Sequence, residues 1–444
     1  MNTLKQGLLL LALAATLAFP LLARAQAADP AAVANQLLDA MDARDYAAAE
    51  RMFTPQMAAA VPADKLGAVW ESLPAQVGVA TGRGEPQVSP MGDASVVTVA
   101  LHHAAAELVA KVAVDAQGKV SGFVIQPAAA APAPAPASDA GFRESELPVG
   151  EGDRALPATL AMPEGDGPFP AVVLVHGSGP HDRDETVGPN RPFLDIARGL
   201  AAQGVAVLRY EKRSKAQPQA YVAPGALTID SETTDDAVAA LRTLAGVPGV
   251  DASRLFLLGH SQGAMMAPRI AARSIDAGVP VAGLVLLAAP SRKLLDILIE
   301  QNRRLAVLDD ARTSDAEREA ITRLVEQVRA VRAGEDEPAV GLPMNLPASY
   351  WRSTDTVDPV HEALVVDLPM LVLQGARDIQ VVDADWQGWK AGFHDDPTVA
   401  FKLYPALNHL GIAGEGEGNI AEYNVPGHVD AGLIVDIAAW IGTH

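Results

Sequence analysis

Arg254-Leu-Phe-Leu-Leu-Gly-His-Ser-Gln-Gly-Ala264 is the stretch on which the reading of this chain turns. Four apolar residues, Leu255 to Leu258, run straight into Gly259-His260-Ser261-Gln262-Gly263, and small residues of helical character follow. In a G-x-S-x-G pentapeptide the serine sits on a sharp strand-to-helix turn, with its hydroxyl presented above the sheet. The two glycines are required physically, because a Cβ at either place collides with the neighbouring strand or helix. A Gly-rich turn without chemistry would carry the same five residues, so the surroundings must decide.

Upstream, Pro170-Ala-Val-Val-Leu-Val-His-Gly-Ser-Gly-Pro180 reads as a buried strand that ends in a Gly-rich loop. Downstream, Pro369-Met-Leu-Val-Leu-Gln-Gly-Ala-Arg-Asp378 is a second apolar strand with an acid just past its end. Phe401-Lys-Leu-Tyr404 then leads to Asn408-His409-Leu410. The order is therefore a loop fit for an oxyanion, then serine, aspartate and histidine, each at the carboxyl end of a strand. With these stations in this order, residues 141–444 resemble the α/β-hydrolase superfamily.

A serine hydroxyl is a poor nucleophile until a base takes its proton, and the base must be oriented and stabilised as a cation. The expected roles are Ser261 as nucleophile, His409 as base and Asp378 as the group that orients His409. Asp383 and Asp385 are rival acids, but both fall inside the helix after the loop. His394, His428 and His444 are rival bases, and only His409 follows a strand and short loop ahead of the last helix. The tetrahedral intermediate needs two backbone N–H donors. Gln262 supplies one, and Ser178, or else Gly179, the other. Substrate contacts are expected from His176 in the same loop, from Tyr350-Trp351, which read equally as core, and from Arg183.

The 444 residues are long for one domain, and a net charge of −20 argues against nucleic acid as a partner. Met1-Asn-Thr-Leu-Lys-Gln carries one positive charge ahead of an apolar run from Gly7 to Leu22. Ala23-Arg24-Ala25 or Ala25-Gln26-Ala27 offers a small-residue cleavage site. Residues 1–27 thus read as a secretory signal peptide, too short in its apolar core for a membrane span. The absence of cysteine leaves neither a disulfide framework nor a lipid-anchored N-terminus. The mature protein is expected in a bacterial periplasm or outside the cell, without a membrane anchor.

Residues 28–126 read as helices followed by a strand meander, a small α+β domain. Asp29-Pro30 caps the first helix, whose apolar face is Val33, Leu37, Leu38 and Met41. Helices at 46–52 and 63–73 are expected to bury Tyr46, Phe53, Leu66, Val69 and Trp70. Strands follow at 95–101, 107–114 and 119–125, the last two joined by the turn Asp115-Ala-Gln-Gly118. By pattern and neighbourhood the segment is similar to the cone-shaped domain of the nuclear-transport-factor-like superfamily. No chemistry is expected of it, and His102-His103 read as solvated polar residues. Homodimerisation or partner contact is the use that fits. Residues 127–140, rich in Ala and Pro, form a linker that cannot build a core.

From residue 141 onward, apolar strands alternate with helices, which means a mostly parallel, doubly wound sheet covered on both faces. An antiparallel hairpin within Phe142–Pro163, from Leu147-Pro-Val and Ala158–Met162, is expected at its edge. The alternation stops between about 291 and 365, where helices, one opened by the capping box Ser314-Asp-Ala-Glu317, suggest a cap over the site. His181-Asp-Arg-Asp-Glu185 and Arg209-Tyr-Glu-Lys-Arg213 resemble stretches of bacterial esterases and peptidase-like hydrolases. They read first as a salt-bridge network bracing the loop, and second as Arg183 or Arg213 holding a substrate carboxylate. No cofactor loop or metal-ligand cluster is present in the sequence, and triad chemistry requires neither. The function expected is a secreted serine hydrolase acting on a small-molecule ester. A peptidase or thioesterase on the same fold is the alternative, and a binding protein on a dead hydrolase fold is a third reading.

Overall fold

Residues 29–91, 94–104, 107–128, 140–308 and 312–444 are described by a computed structural model. Residues 1–28, which hold the segment expected to be a signal peptide, and residues 129–139 of the expected linker lie outside the described residues. The chain divides into two compact units, Met1–Ala131 and Pro132–His444.

In the first unit, helices α1 (Pro30–Asp42), α2 (Tyr46–Arg51), α3 (Pro55–Ala60) and α4 (Ala63–Val77) precede an antiparallel sheet. Asp29 caps α1 by accepting from the Ala31 N–H, and Val33, Ala34, Leu37, Leu38 and Met41 form its buried stripe. The strands are β1 (Ala80–Arg83), β2 (Gln87–Met91), β3 (Ala94–His103), β4 (Glu107–Val114) and β5 (Val120–Pro127). Along β4 every second residue, Leu108, Ala110, Val112 and Val114, points into the core. Phe53 and Leu66 join that core, whereas Tyr46 and Trp70 are only half-buried and Val69 is exposed, against expectation. Strands β1 and β2 bury none of their residues, so no alternation marked them in the sequence. His102 pairs with Glu107, and His103 Nδ1 lies 2.9 Å from the Gly78 carbonyl.

The second unit is built on β6 (Phe142–Glu146), β7 (Ala158–Pro163), β8 (Phe169–Val175), β9 (Ala206–Tyr210), β10 (Val250–His260), β11 (Gly283–Leu287), β12 (Met370–Gly375) and β13 (Val399–Tyr404). Among the described residues they form one sheet in the order β13-β12-β11-β10-β8-β9-β7-β6, parallel except where β7 meets β9 and β6. The edge hairpin is present, but its first strand is 142–146, and Leu147-Pro-Val only continues it through a bridge from Val149 to Leu156.

Each inner strand feeds both faces. Ala171, Val173 and Val175 of β8 and Leu255 and Leu257 of β10 join one core, while Val172, Leu174, Phe256 and Leu258 join the other. Each such fully buried Leu or Phe contributes about 1.5–3 kcal/mol relative to exposure. Helices α5 (Pro192–Ala201) and α14 (Ala431–Thr443) cover the second face. The first is covered by α7 (Asp235–Ala245), α8 (Gln262–Asp276) and α13 (Asp383–Phe393), with the short α6 (Arg213–Ala216) at the end of β9. The insertion supplies α9 (Leu294–Leu308), α10 (Asp315–Arg332), α11 (Ala348–Asp355) and α12 (Pro359–Val366). Both bonds of the capping box at Ser314 and Glu317 are made. Leu295, Val328, Val331, Tyr350 and Trp351 extend the first core into the insertion. Arg332 pairs with Asp296 and Asp355, tying three of its helices together. Among the described residues no helix is long and apolar enough to cross a membrane.

Candidate active site

Strand β10 ends at His260, and Ser261 turns the chain into α8 with φ 53° and ψ −118°. An L-residue holds that conformation only when its surroundings over-determine it. They do so here. The Ser261 N–H donates to the Leu287 carbonyl at 2.9 Å, so the parallel ladder extends into the turn. A Cβ on Gly263 would overlap the Val175 carbonyl oxygen, and one on Gly259 would overlap the Ala264 nitrogen. Gln262 is the first residue of α8, where an N–H has no acceptor within the helix.

Asp378 lies just past β12, and its side chain is fully buried. Its Oδ1 accepts the N–H groups of Gln380 and Val381 at 2.8 and 3.0 Å. Its Oδ2 lies 2.7 Å from His409 Nδ1 and also accepts from Gln374 at 3.3 Å. The rival acids are engaged elsewhere. Asp385 pairs with Arg292 and accepts the Ser291 N–H at the base of the insertion, and Asp383 holds Gln387. The rival bases His394 and His428 are largely exposed beside Asp395 and Asp195, and His444 stacks on Trp440.

A brace next to Asp378 escaped the sequence reading. The Arg377 guanidinium donates to the carbonyls of Glu415 and Gly416 at 2.8 Å each and is paired with Glu422. Glu422 in turn accepts from Asn408 Nδ2 at 3.3 Å, next to His409. Arg377 thus holds the loop that carries the histidine. Its only sequence signal was an arginine beside a candidate acid.

On the other side of the serine, the loop after β8 packs against the turn, and a Cβ on Gly177 would lie 3.4 Å from Ser261 Cβ. The Gly177 N–H is taken by Glu185 Oε1 at 2.6 Å, and the chain then runs out to Ser178 and Gly179, both exposed. Glu185 is itself buried at φ 52°, with Oε2 2.9 Å from His260 Nδ1, though poorly aligned for a hydrogen bond. Burial pushes the Glu185 carboxyl up, but the charge and proximity of His260, with His181 and His176 behind it, outweigh this and hold it at about 2. Burial also works against the charged form of His260, yet Glu185 and the His409 carbonyl raise its pKa above the ordinary value.

Three expected substrate contacts are placed otherwise. His176 is 1% exposed, packed between Phe193 and the edge of Tyr210. Arg183 is held by Glu146, Thr159 and Glu211, which leaves the guanidinium for bracing. Trp351 is buried and donates to the Pro343 carbonyl at 2.9 Å. Tyr350 is buried too, but its hydroxyl reaches Gln262 Oε1 at 3.3 Å, so it links the insertion to the residue after the serine. Arg213 pairs with Asp236, and Arg209 with Glu144 and Asp184, the network expected of these stretches.

His176 has a consequence for acid stability. Apart from a weak approach to the Asp182 backbone, neither ring nitrogen makes a well-formed hydrogen bond. Burial therefore lowers its pKa from 6.5 to about 3. Between these values the unfolded chain binds a proton that the folded chain refuses, so stability falls as pH drops from 6.5 towards 3. His176→Phe should remove this part of the loss. Urea midpoints at about pH 7 and about pH 4.5, the latter inside that window, then lie closer together than in the wild type. An undiminished gap refutes the assignment.

A family model described as serine aminopeptidase, S33, matches residues 167–415, the span from β8 through the His409 loop. The chain belongs to this family. It is 34% identical over 403 residues to Esterase EstD of Thermotoga maritima, covering 90% of this chain and 92% of the relative. Among solved structures, an esterase of Pyrococcus furiosus is similar at 15% identity and TM-score 0.44, covering 71% of this chain and 96% of that one. A puromycin-hydrolysing peptidase of Mycobacterium tuberculosis is similar at 18% identity and TM-score 0.42, over 80% of this chain and 46% of that one. Residues 34–123 match a second family, described as a protein of unknown function.

Proposed function

We propose that this protein hydrolyses carboxylic esters through an acyl-enzyme, with Ser261 as nucleophile. The observation that carries the proposal is the buried contact of 2.7 Å between His409 Nδ1 and Asp378 Oδ2 at the strand ends where Ser261 turns. In this reading Nδ1 carries the proton, so Nε2 is free to accept one. Ser261 Oγ attacks the ester carbonyl and passes its proton to His409 Nε2. Asp378 stabilises the imidazolium that forms. The developing oxyanion is met by the N–H of Gln262 and that of Ser178 or Gly179. Nε2 then returns its proton to the leaving alcohol, and a water activated by the same nitrogen releases the acid.

An ester is preferred to a peptide because the relative that is 34% identical over 90% of the chain is named an esterase. The family name keeps the peptidase as the second reading. A panel of p-nitrophenyl esters of graded acyl length, run beside aminoacyl-p-nitroanilides, separates the two. Turnover of esters with no turnover of anilides is expected; efficient anilide cleavage would replace the proposal with the peptidase. The charge, apolar run and small-residue site within residues 1–27 support export as part of the same proposal.

A further inference from the structure

Gly177 is held at both its N–H and its carbonyl by buried charges, one on each of the two peptide groups it joins. Its N–H donates to Glu185 Oε1 at 2.6 Å, and its carbonyl accepts from Lys212 Nζ at 2.7 Å. Both residues are almost inaccessible, Glu185 at 1% and Lys212 at 2%. Burying a lysine and a carboxylate is costly unless each is paired and hydrogen-bonded, and both are.

Each grip continues inward. Glu185 faces His260, whose Nε2 lies 2.8 Å from the backbone carbonyl of His409. Lys212 Nζ pairs with Glu232 Oε1 at 2.8 Å. Glu232 also accepts from Ser214 at 3.0 Å and Thr233 at 2.7 Å, and lies 3.4 Å from Gln262 Nε2. Glu232 sits in a π-helical turn, Asp230–Thr234, that leads into α7. Such turns insert one extra residue and are frequent at functional sites. Gly177 is thus the point where the loop after β8, the histidine loop and the residue after the serine are tied to one another.

We propose that Glu185 and Lys212 are positioning residues that fix the two peptide planes meeting at Gly177, and so aim the N–H of Ser178, which shares its plane with the carbonyl that Lys212 holds, and the N–H of Gly179 beyond it, at the ester oxyanion. The proposal rests on the triad reading above. Neither side chain touches substrate; each acts through the backbone. A donor must meet the oxygen where it develops charge, so the clamp matters more to the transition state than to the bound ester.

The test uses the full chain and three readouts: kcat, KM, and the inhibition constant of a trifluoromethyl ketone, which takes up the serine as an oxyanion. Lys212→Met is expected to lower kcat about 10- to 100-fold, less than outright loss of a donor, with KM within about twofold. The ketone should weaken in parallel with kcat/KM. Because Lys212→Met leaves the Glu232 carboxylate unpaired, the double variant Lys212→Met/Glu232→Gln is measured beside it and should show the same split. Glu185→Gln keeps an oxygen for the Gly177 N–H, so its loss should be at least several-fold smaller than that of Glu185→Ala. A folded Lys212 variant with unchanged kcat, a loss confined to KM, or equal losses for the two Glu185 variants would overturn the clamp. The wild type distinguishes the two levels. If it neither turns over esters nor takes a fluorophosphonate on Ser261, the triad reading has failed; if it does both, a failed test falls on the clamp alone.

Discussion

Ser261→Ala is expected to abolish ester turnover to within measurement, a loss on the order of 10⁵–10⁶-fold in kcat, because members of a triad act as a unit. The alanine should be well tolerated by the fold. The strained turn is held by the Leu287 carbonyl and by the close approach of Gly259 and Gly263 to backbone, and none of these contacts uses the serine hydroxyl. An unchanged thermal midpoint together with lost activity is the expected pair of results. Labelling by a fluorophosphonate should vanish with turnover. A mutant that still takes the label carries its nucleophile elsewhere, and the whole assignment then fails.

The serine was legible in the sequence because its constraints are local. The two elbow glycines, the apolar run before them and the small residues after them all act within one strand and the first turns of one helix. The order of the other stations was legible for a related reason. A parallel strand buried on both faces is a continuous apolar run, and Ala171–Val175 of β8 and Met370–Leu373 of β12 are such runs. Each ends where the chain must turn over the sheet, so the residues just past it are marked as candidates for the site.

Groups that act at a distance left no such mark. Lys212 meets Gly177 across 35 positions, and Arg377 meets Glu422 across 45. Arg209-Tyr-Glu-Lys-Arg213 reads as one charged stretch, yet Arg209 and Arg213 brace the loop and α7 while Lys212 turns inward to the site. In the N-terminal unit β1 and β2 left no pattern because neither strand buries a face. His176 was read as a substrate contact from its place in the loop, and the packing of Phe193 and Tyr210 around it decided otherwise.

Asp378→Asn is expected to lower turnover by up to about 10⁴-fold while leaving KM largely intact, and the hydrogen bonds around the carboxylate say why. Oδ1 accepts the N–H groups of Gln380 and Val381, and an amide oxygen can take over that role. The amide NH2 then stands where Oδ2 was, 2.7 Å from His409 Nδ1. Two donors cannot face each other, so Nδ1 must give up its proton and accept. The proton moves to Nε2, the nitrogen that has to receive the serine proton, and the base is blocked. Asp383→Asn should be close to wild type, since among the described residues the Asp383 carboxylate holds Gln387, whereas His409 faces Asp378. Asp385→Asn should lower thermal stability through Arg292 and Ser291 while the folded protein keeps its turnover. Measured side by side, near wild-type turnover for Asp378→Asn with collapse for either of the others would move the acid and leave the 2.7 Å contact a structural one.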